Sequence, residues 1–84
     1  MKKVLNTTTT YQYNDDYFID VVQYQVGSKF YYEAWLYNKN YGVKMLMFGL
    51  ESPTIESYLW EFLDQVEENV LDYISDYKVM YMND

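Results

Sequence analysis

Carboxylates are the side chains with which this sequence could do chemistry, because histidine, cysteine and arginine are all absent. Their absence removes the commonest general base, the thiol nucleophile and the usual anion clamp. Three pairs of acids have spacings of chemical interest: Asp72 with Asp76 on a predicted helix, Asp15 with Asp16 in a predicted turn, and Asp20 with Glu33 across a predicted hairpin. None has the spacing of a calcium loop, and no glycine-rich phosphate loop is present. The sequence therefore predicts a protein that is not an enzyme and uses no cofactor or metal.

A long helix is predicted over residues 53–78. Ser52 before Pro53 marks its start, because a serine side chain caps free backbone amides and proline tolerates the first helical position. At about 100° per residue, the apolar side chains of this stretch share one stripe, which must be buried. The stripe contains Ile55, Leu59, Phe62, Val66, Val70, Tyr73 and Tyr77, with Leu63 and Ile74 at its edge.

The opposite arc of the predicted helix is acidic. It carries Glu56, Glu61, Asp64, Glu67, Glu68, Asp72 and Asp76. No lysine lies between Glu51 and Lys78 to neutralise these carboxylates. Uncompensated charge of this kind indicates binding more than folding, and we expect these residues to face solvent.

Trp60 shares this outer arc. Tryptophan is enriched among the residues that dominate protein interfaces, so Trp60 is a candidate contact residue. The alternative is that its ring covers a strand edge or loop of its own domain.

The charge of the chain is unevenly distributed. Residues 1–50 carry five lysines and four acids, a balance of +1, whereas residues 51–84 carry one lysine and nine acids, a balance of −8. This asymmetry argues against nucleic acid or an anionic membrane as a direct partner and favours a basic protein surface. The alternative is that the acids only keep a small domain soluble.

The N-terminal part predicts a sheet. Strands are expected at about residues 7–13, 17–26, 29–37 and 43–50, and with the helix at 53–78 they form a single α+β domain spanning residues 1–84. The simplest topology is an antiparallel four-stranded meander with the helix packed on one face. The register of the fourth strand depends on whether the loop before it has four or five residues, and the sequence does not decide between the two.

Gly27 and Ser28 predict a two-residue hairpin turn, which sets the pairing of the second and third strands. Ile19, Val21, Ala34 and Leu36 then share the face that takes the helix. The opposite face is aromatic and is expected to be partly exposed to solvent. It offers a second contact surface made of Tyr24, Tyr31, Trp35 and Tyr37. A one-residue slip would exchange the two faces, so the reverse assignment remains an alternative.

The compartment is predicted to be the cytoplasm. The chain has no cysteine, its N-terminus lacks the apolar core of a secretion signal, and no run approaches the roughly 18 apolar residues of a membrane span.

A short, acidic, cysteine-free and tyrosine-rich chain with this helix arc resembles the small phage-encoded anti-CRISPR and anti-restriction proteins. The resemblance implies an inhibitor in the host cytoplasm whose carboxylates stand where phosphates lie in the basic nucleic-acid channel of a defence nuclease. Two alternatives remain: an immunity protein or antitoxin that neutralises a basic toxin, and a structural protein that forms a homodimer through its aromatic sheet face.

Overall fold

The computed structural model describes residues 4–52 and 56–82, with side chains described at 7–25, 27–49 and 61–82. These residues form one antiparallel sheet in the order β1-β2-β3-β4, followed by a helix that packs on it. The elements are β1 (Val4–Gln12), β2 (Tyr17–Val26), β3 (Lys29–Asn38), β4 (Met45–Ser52) and α1 (Glu56–Tyr81). The predicted α+β meander with a C-terminal helix is therefore confirmed.

Several element boundaries differ from the prediction. β1 starts at Val4 and ends at Gln12, β4 lies about two residues later than predicted, and α1 continues to Tyr81. Val4 belongs to the strand because it pairs with Gln25, and ladder hydrogen bonds form whatever the side-chain pattern is. The ends of a strand depend on its pairing partners, which the local sequence pattern does not identify.

Ser52 was predicted to cap the helix, and this stays a prediction, because its side chain and residues 53–55 lie outside the described set. Ser52 is the last residue of β4 and pairs with Phe30 of β3, while the described part of α1 begins at Glu56. Its extended backbone is compatible with a cap, because a capping residue has non-helical dihedral angles. The predicted first helical residue, Pro53, lies outside the described residues, as does Ile55.

Two tight turns set the register of the sheet. Gly27 has a φ of 63°, and no non-glycine residue of the described chain has a positive φ, which is the pattern of a II′ hairpin turn. Val26 therefore pairs with Lys29, as predicted. In the β1–β2 turn, the Asn14 side-chain oxygen accepts the backbone N–H groups of Asp16 and Tyr17, each at 2.9 Å. This turn was predicted from the polar run at residues 14–16.

The predicted choice of sheet face is confirmed. Ile19 pairs with Leu36 and Val21 with Ala34, and all four side chains are buried on the helix side. The open face of the sheet carries the alternate residues of the same strands. The slipped register that would exchange the faces is not formed.

The core lies between α1 and the face formed by β2, β3 and β4, and α1 runs closest to β3 and β4. Phe62 is fully buried, with its ring centroid 5.7 Å from that of Tyr32 and 5.0 Å from that of Phe48. A register shift between Ala34 and Trp35 accompanies this contact, because it lets β4 direct both Met47 and Phe48 to the helix side.

The predicted helix stripe is confirmed where its side chains are described. The buried members are Phe62, Val66, Val70, Ile74 and Tyr77. Ile74 lies nearer the centre than predicted, whereas Tyr73 is half-buried and packs at the edge against Phe48, with ring centroids 6.2 Å apart. The side chains of Ile55 and Leu59 fall outside the described set.

Tyr77→Phe is expected to lower the free energy of unfolding by about 1–2 kcal/mol. The buried Tyr77 hydroxyl donates to the backbone carbonyl of Val43 at 2.6 Å, so its removal leaves that carbonyl without its partner. Tyr73→Phe is the matched control, because no hydrogen bond of the Tyr73 hydroxyl is present in the described structure. Urea denaturation of both variants checks the difference, and equal losses would contradict the role of this hydrogen bond.

Candidate functional site

The outer arc of α1 is an acidic surface, which we call the acidic face and define as Glu61, Asp64, Glu67, Glu68, Asp72 and Asp76. All six side chains are exposed, as predicted. The other side of the same helix is anchored in the core by Phe62, Val70 and Tyr77, each at most 1 % exposed. This burial fixes the orientation of the helix, so the carboxylates face solvent. The periodicity that buries the apolar stripe therefore also presents the carboxylates.

The acidic face is not neutralised within the described part of the chain. None of its carboxylates forms an ion pair with a described lysine, and Lys78 in the last turn is the helix's basic residue. Several acids are instead four residues apart, an arrangement in which like charges repel by a few tenths of a kcal/mol. The face therefore costs some helix stability and projects a negative potential.

Leu71 adds an apolar contact to this surface, since its side chain is 66 % exposed among the carboxylates. Glu56 and Trp60 belong to α1 by their backbone, but their side chains lie outside the described set. Their predicted role as contact residues remains a prediction.

The aromatic face is the open side of the sheet, and it brings together Tyr24, Tyr31, Trp35 and Tyr37 as predicted. All four are half-buried. The Tyr37 ring stacks on Phe18, with centroids 5.6 Å apart and planes inclined by 17°. A shallow depression of about 370 Å³ lies beside Tyr24 and Trp35. This surface is available for contact, but much of its area is already packed.

A buried carboxylate in the aromatic face departs from the expectation of a surface partly exposed to solvent. The side chain of Asp20 is only 8 % exposed, and it accepts hydrogen bonds from the Thr10 hydroxyl at 2.7 Å and the Lys44 ammonium at 2.6 Å. Lys44 reaches it across β3, with its nitrogen 5.0 Å from the centroid of the Tyr37 ring. Thr10, Asp20 and Lys44 thus connect β1, β2 and the segment that precedes β4.

This network was not predicted from the sequence. Thr10 lies opposite Asp20 in the register set by the turn at residues 14–16, so that contact follows once the turn is recognised. Lys44 precedes β4 in an irregular segment, and no periodic signal placed it over the sheet. All buried side-chain polar atoms in the described part of the chain have hydrogen-bond partners, which is consistent with a structural role for the network.

The carboxylate pairs of chemical interest do not form a catalytic or metal-binding arrangement among the described residues. Asp20 and Glu33 share the open face but lie on diagonal positions, since Asp20 pairs with Trp35 and Glu33 with Val22. Asp16 lies in an exposed turn, 3.7 Å from the Lys39 ammonium. Over residues 4–52 and 56–82, no group of three acidic side chains is arranged to hold a metal ion.

Lys44→Met is expected to lower the free energy of unfolding at neutral pH. The wild type should lose part of its stability at alkaline pH, and the variant should not show this loss. The hydrogen bond with Asp20 raises the pKa of Lys44, the Asp20 charge adds to the effect, and desolvation opposes it. A raised pKa means that the folded state holds this proton more tightly. Its contribution is complete below the ordinary lysine pKa of 10.5 and is lost as the pH rises through the folded-state value.

Urea denaturation at neutral pH and above the lysine pKa checks this expectation. The difference in unfolding free energy between wild type and Lys44→Met should narrow at the higher pH. Lys39→Met is the control, because it removes an ammonium from an exposed pair that is worth about 0–1 kcal/mol. A difference that stays constant with pH would contradict the assignment.

The structure holds no helix, among the residues it describes, with the length and apolar character needed to cross a bilayer. Comparison of this chain with protein-family models, with curated proteins and with solved structures finds no match.

Proposed function

We propose that this chain is a non-enzymatic inhibitor whose acidic face occupies the basic, nucleic-acid-binding surface of a partner protein. The observation that carries the proposal is the exposure of all six carboxylates on one side of a helix whose other side is buried. Because no described lysine pairs with them, their charge is available to a partner. A basic protein surface is the complementary partner, and it lies in the cytoplasm.

The spacing of the charges supports partial mimicry of a nucleic acid. From Glu61 to Asp76 the helix rises by roughly 22 Å, so the acidic face carries about one charge per ~4 Å. Duplex DNA carries one charge per about 1.7 Å of its axis. Charge alone therefore falls short of DNA, and apolar contacts such as the exposed Leu71 have to contribute.

The partner class that best fits this combination is a nuclease with a basic channel. We infer an activity like that of anti-CRISPR and anti-restriction inhibitors, in which the carboxylates exclude the nucleic acid from the channel. An immunity protein directed at a toxic nuclease uses the same complementarity. The identity of the bound nuclease distinguishes the two.

The test is capture of partners on the immobilised protein from lysate of a bacterium that contains CRISPR nucleases. A nuclease that binds at low salt, elutes at high salt and is displaced by its own nucleic-acid substrate is the expected result, because screening weakens exposed charge pairs. A variant with four reversed charges in the acidic face serves as the control surface. Capture of the same nuclease by both surfaces would overturn the proposal.

A further inference from the structure

β1 is an edge strand whose residues 7–12 lack the usual protection of edges. Natural edge strands are blunted by charges, proline or bulges, because their free backbone groups invite another strand. Residues 7–12 of β1 contain no charge and no proline, their side chains are exposed, and the register shift of this pair lies before them. β4, the other edge of the described sheet, carries Glu51 near its end, and its register shift interrupts the middle of its pairing with β3.

The backbone of β1 offers a regular set of outward groups. The Tyr13 N–H donates to the Tyr17 carbonyl at 3.0 Å, so this pair is a hydrogen-bonded one. Hydrogen-bonded pairs recur at every second residue of an antiparallel ladder. The odd-numbered residues of β1 therefore bond to β2, and the even-numbered ones direct their N–H and C=O groups outward: Thr8, Thr10 and Gln12.

A groove of about 450 Å³ runs beside this edge on the helix side of the sheet. Its apolar lining consists of Tyr11, Tyr13, Ile19, Val21, Leu63 and Val66. Asp64 and Glu67 of the acidic face also border it. A strand added to β1 would place every second side chain on this side of the sheet, next to the groove and its carboxylates.

We propose that the outer edge of β1 pairs with an extended, basic segment of the partner protein, one apolar side chain of which enters the groove. Charge complementarity selects this occupant over a second copy of the chain. Antiparallel pairing of two β1 edges would put both helices on the same side of the joined sheet, with Asp64 and Glu67 of each copy approaching the other. Lysine or arginine in the added segment instead neutralises these two carboxylates.

The inference rests on the proposed function for the basic character of the partner, and it adds the mode of attachment. The acidic face has a lower charge density than DNA. Backbone pairing adds affinity that does not depend on charge density. The binding surface then extends from the acidic face across the groove to the edge of the sheet.

Hydrogen exchange followed by NMR, with a short peptide of alternating lysine and valine as probe, tests the pairing. In the free protein the amides of Thr9 and Tyr11 should be protected, whereas those of Thr8, Thr10 and Gln12 should exchange fast. Saturating peptide should slow exchange at these three outward amides by at least about tenfold, since exchange requires the added strand to open. Two control peptides should have no such effect: one N-methylated at alternate amides, and one with glutamate in place of lysine.

Thr8→Pro provides a test from the protein side, because it removes an outward N–H while leaving the ladder to β2 intact. Thr8→Val keeps the N–H and is the matched variant. We expect protection at Thr10 and Gln12 to be lost in the proline variant and kept in the valine variant. If the proline variant does not fold, the methylated peptide alone decides the question.

Peptide binding that leaves the three outward amides unprotected would overturn the edge pairing, and so would equal protection by the methylated or the glutamate peptide. Neither outcome affects the proposed function, which depends on capture of a nuclease through the acidic face. Conversely, edge protection by the lysine peptide without any charge-dependent capture would leave the pairing in place and remove the inhibitor role.

Discussion

A variant with Glu61, Asp64, Glu67 and Glu68 replaced by lysine is expected to lose affinity for the partner by at least about 100-fold at physiological salt. Each reversal adds two positive charges, so the four change the net charge of the chain from −7 to +1. Attraction between the acidic face and a basic surface then becomes repulsion. The measurement is calorimetric titration of the captured nuclease with wild type and variant.

The fold of this variant should be retained, because all four side chains are exposed and none contacts the core. Circular dichroism and urea denaturation verify this, with an expected change within about 1 kcal/mol. A matched pair of double variants separates position from net charge. Reversing Glu67 and Glu68 should weaken binding strongly, whereas reversing the exposed turn residues Asp15 and Asp16 adds the same charge and should have little effect. Equal losses would show that only net charge matters.

Phe62→Ala is expected to remove most of the stability of the protein. The side chain is fully buried and contacts the rings of Tyr32 and Phe48, so its truncation removes apolar burial and leaves a cavity. Such a change costs about 3–5 kcal/mol. A domain of this size has only about 5 kcal/mol of net stability, which leaves little reserve.

Thermal and urea denaturation measure this effect. Leu71→Ala is the control on the same helix, because Leu71 is 66 % exposed and its truncation should change stability by less than about 0.5 kcal/mol. A loss below about 1 kcal/mol for Phe62→Ala would mean that the helix contributes little to the core. The two variants also separate roles, since Leu71→Ala should weaken partner binding without affecting the fold.

Periodicity made much of this structure predictable. A helical repeat of 3.6 residues brings Phe62, Val66 and Val70 to one side and the carboxylates to the other, so both the core stripe and the acidic face follow from the order of residues. In the same way, the turn at Gly27 and Ser28 sets the pairing of β2 with β3, and with it the residues of each sheet face. These are local rules that need no knowledge of distant partners.

The edges of elements were predicted less well because they depend on pairing. β1 extends back to Val4 and β4 continues to Ser52, since each of these residues pairs with a residue of the neighbouring strand.

The α+β meander, the preferred assignment of the two sheet faces and the exposure of the acidic face were thus predictable from the sequence, because each follows from a repeat or a turn. Three features became known only from the three-dimensional arrangement: the burial of Asp20 beneath Lys44, the register shift of β4 opposite Ala34, and the groove bordered by Asp64 beside the edge of β1. These features join side chains that are distant in the chain. No local pattern encodes them, since they depend on how the helix and the strands pack against one another.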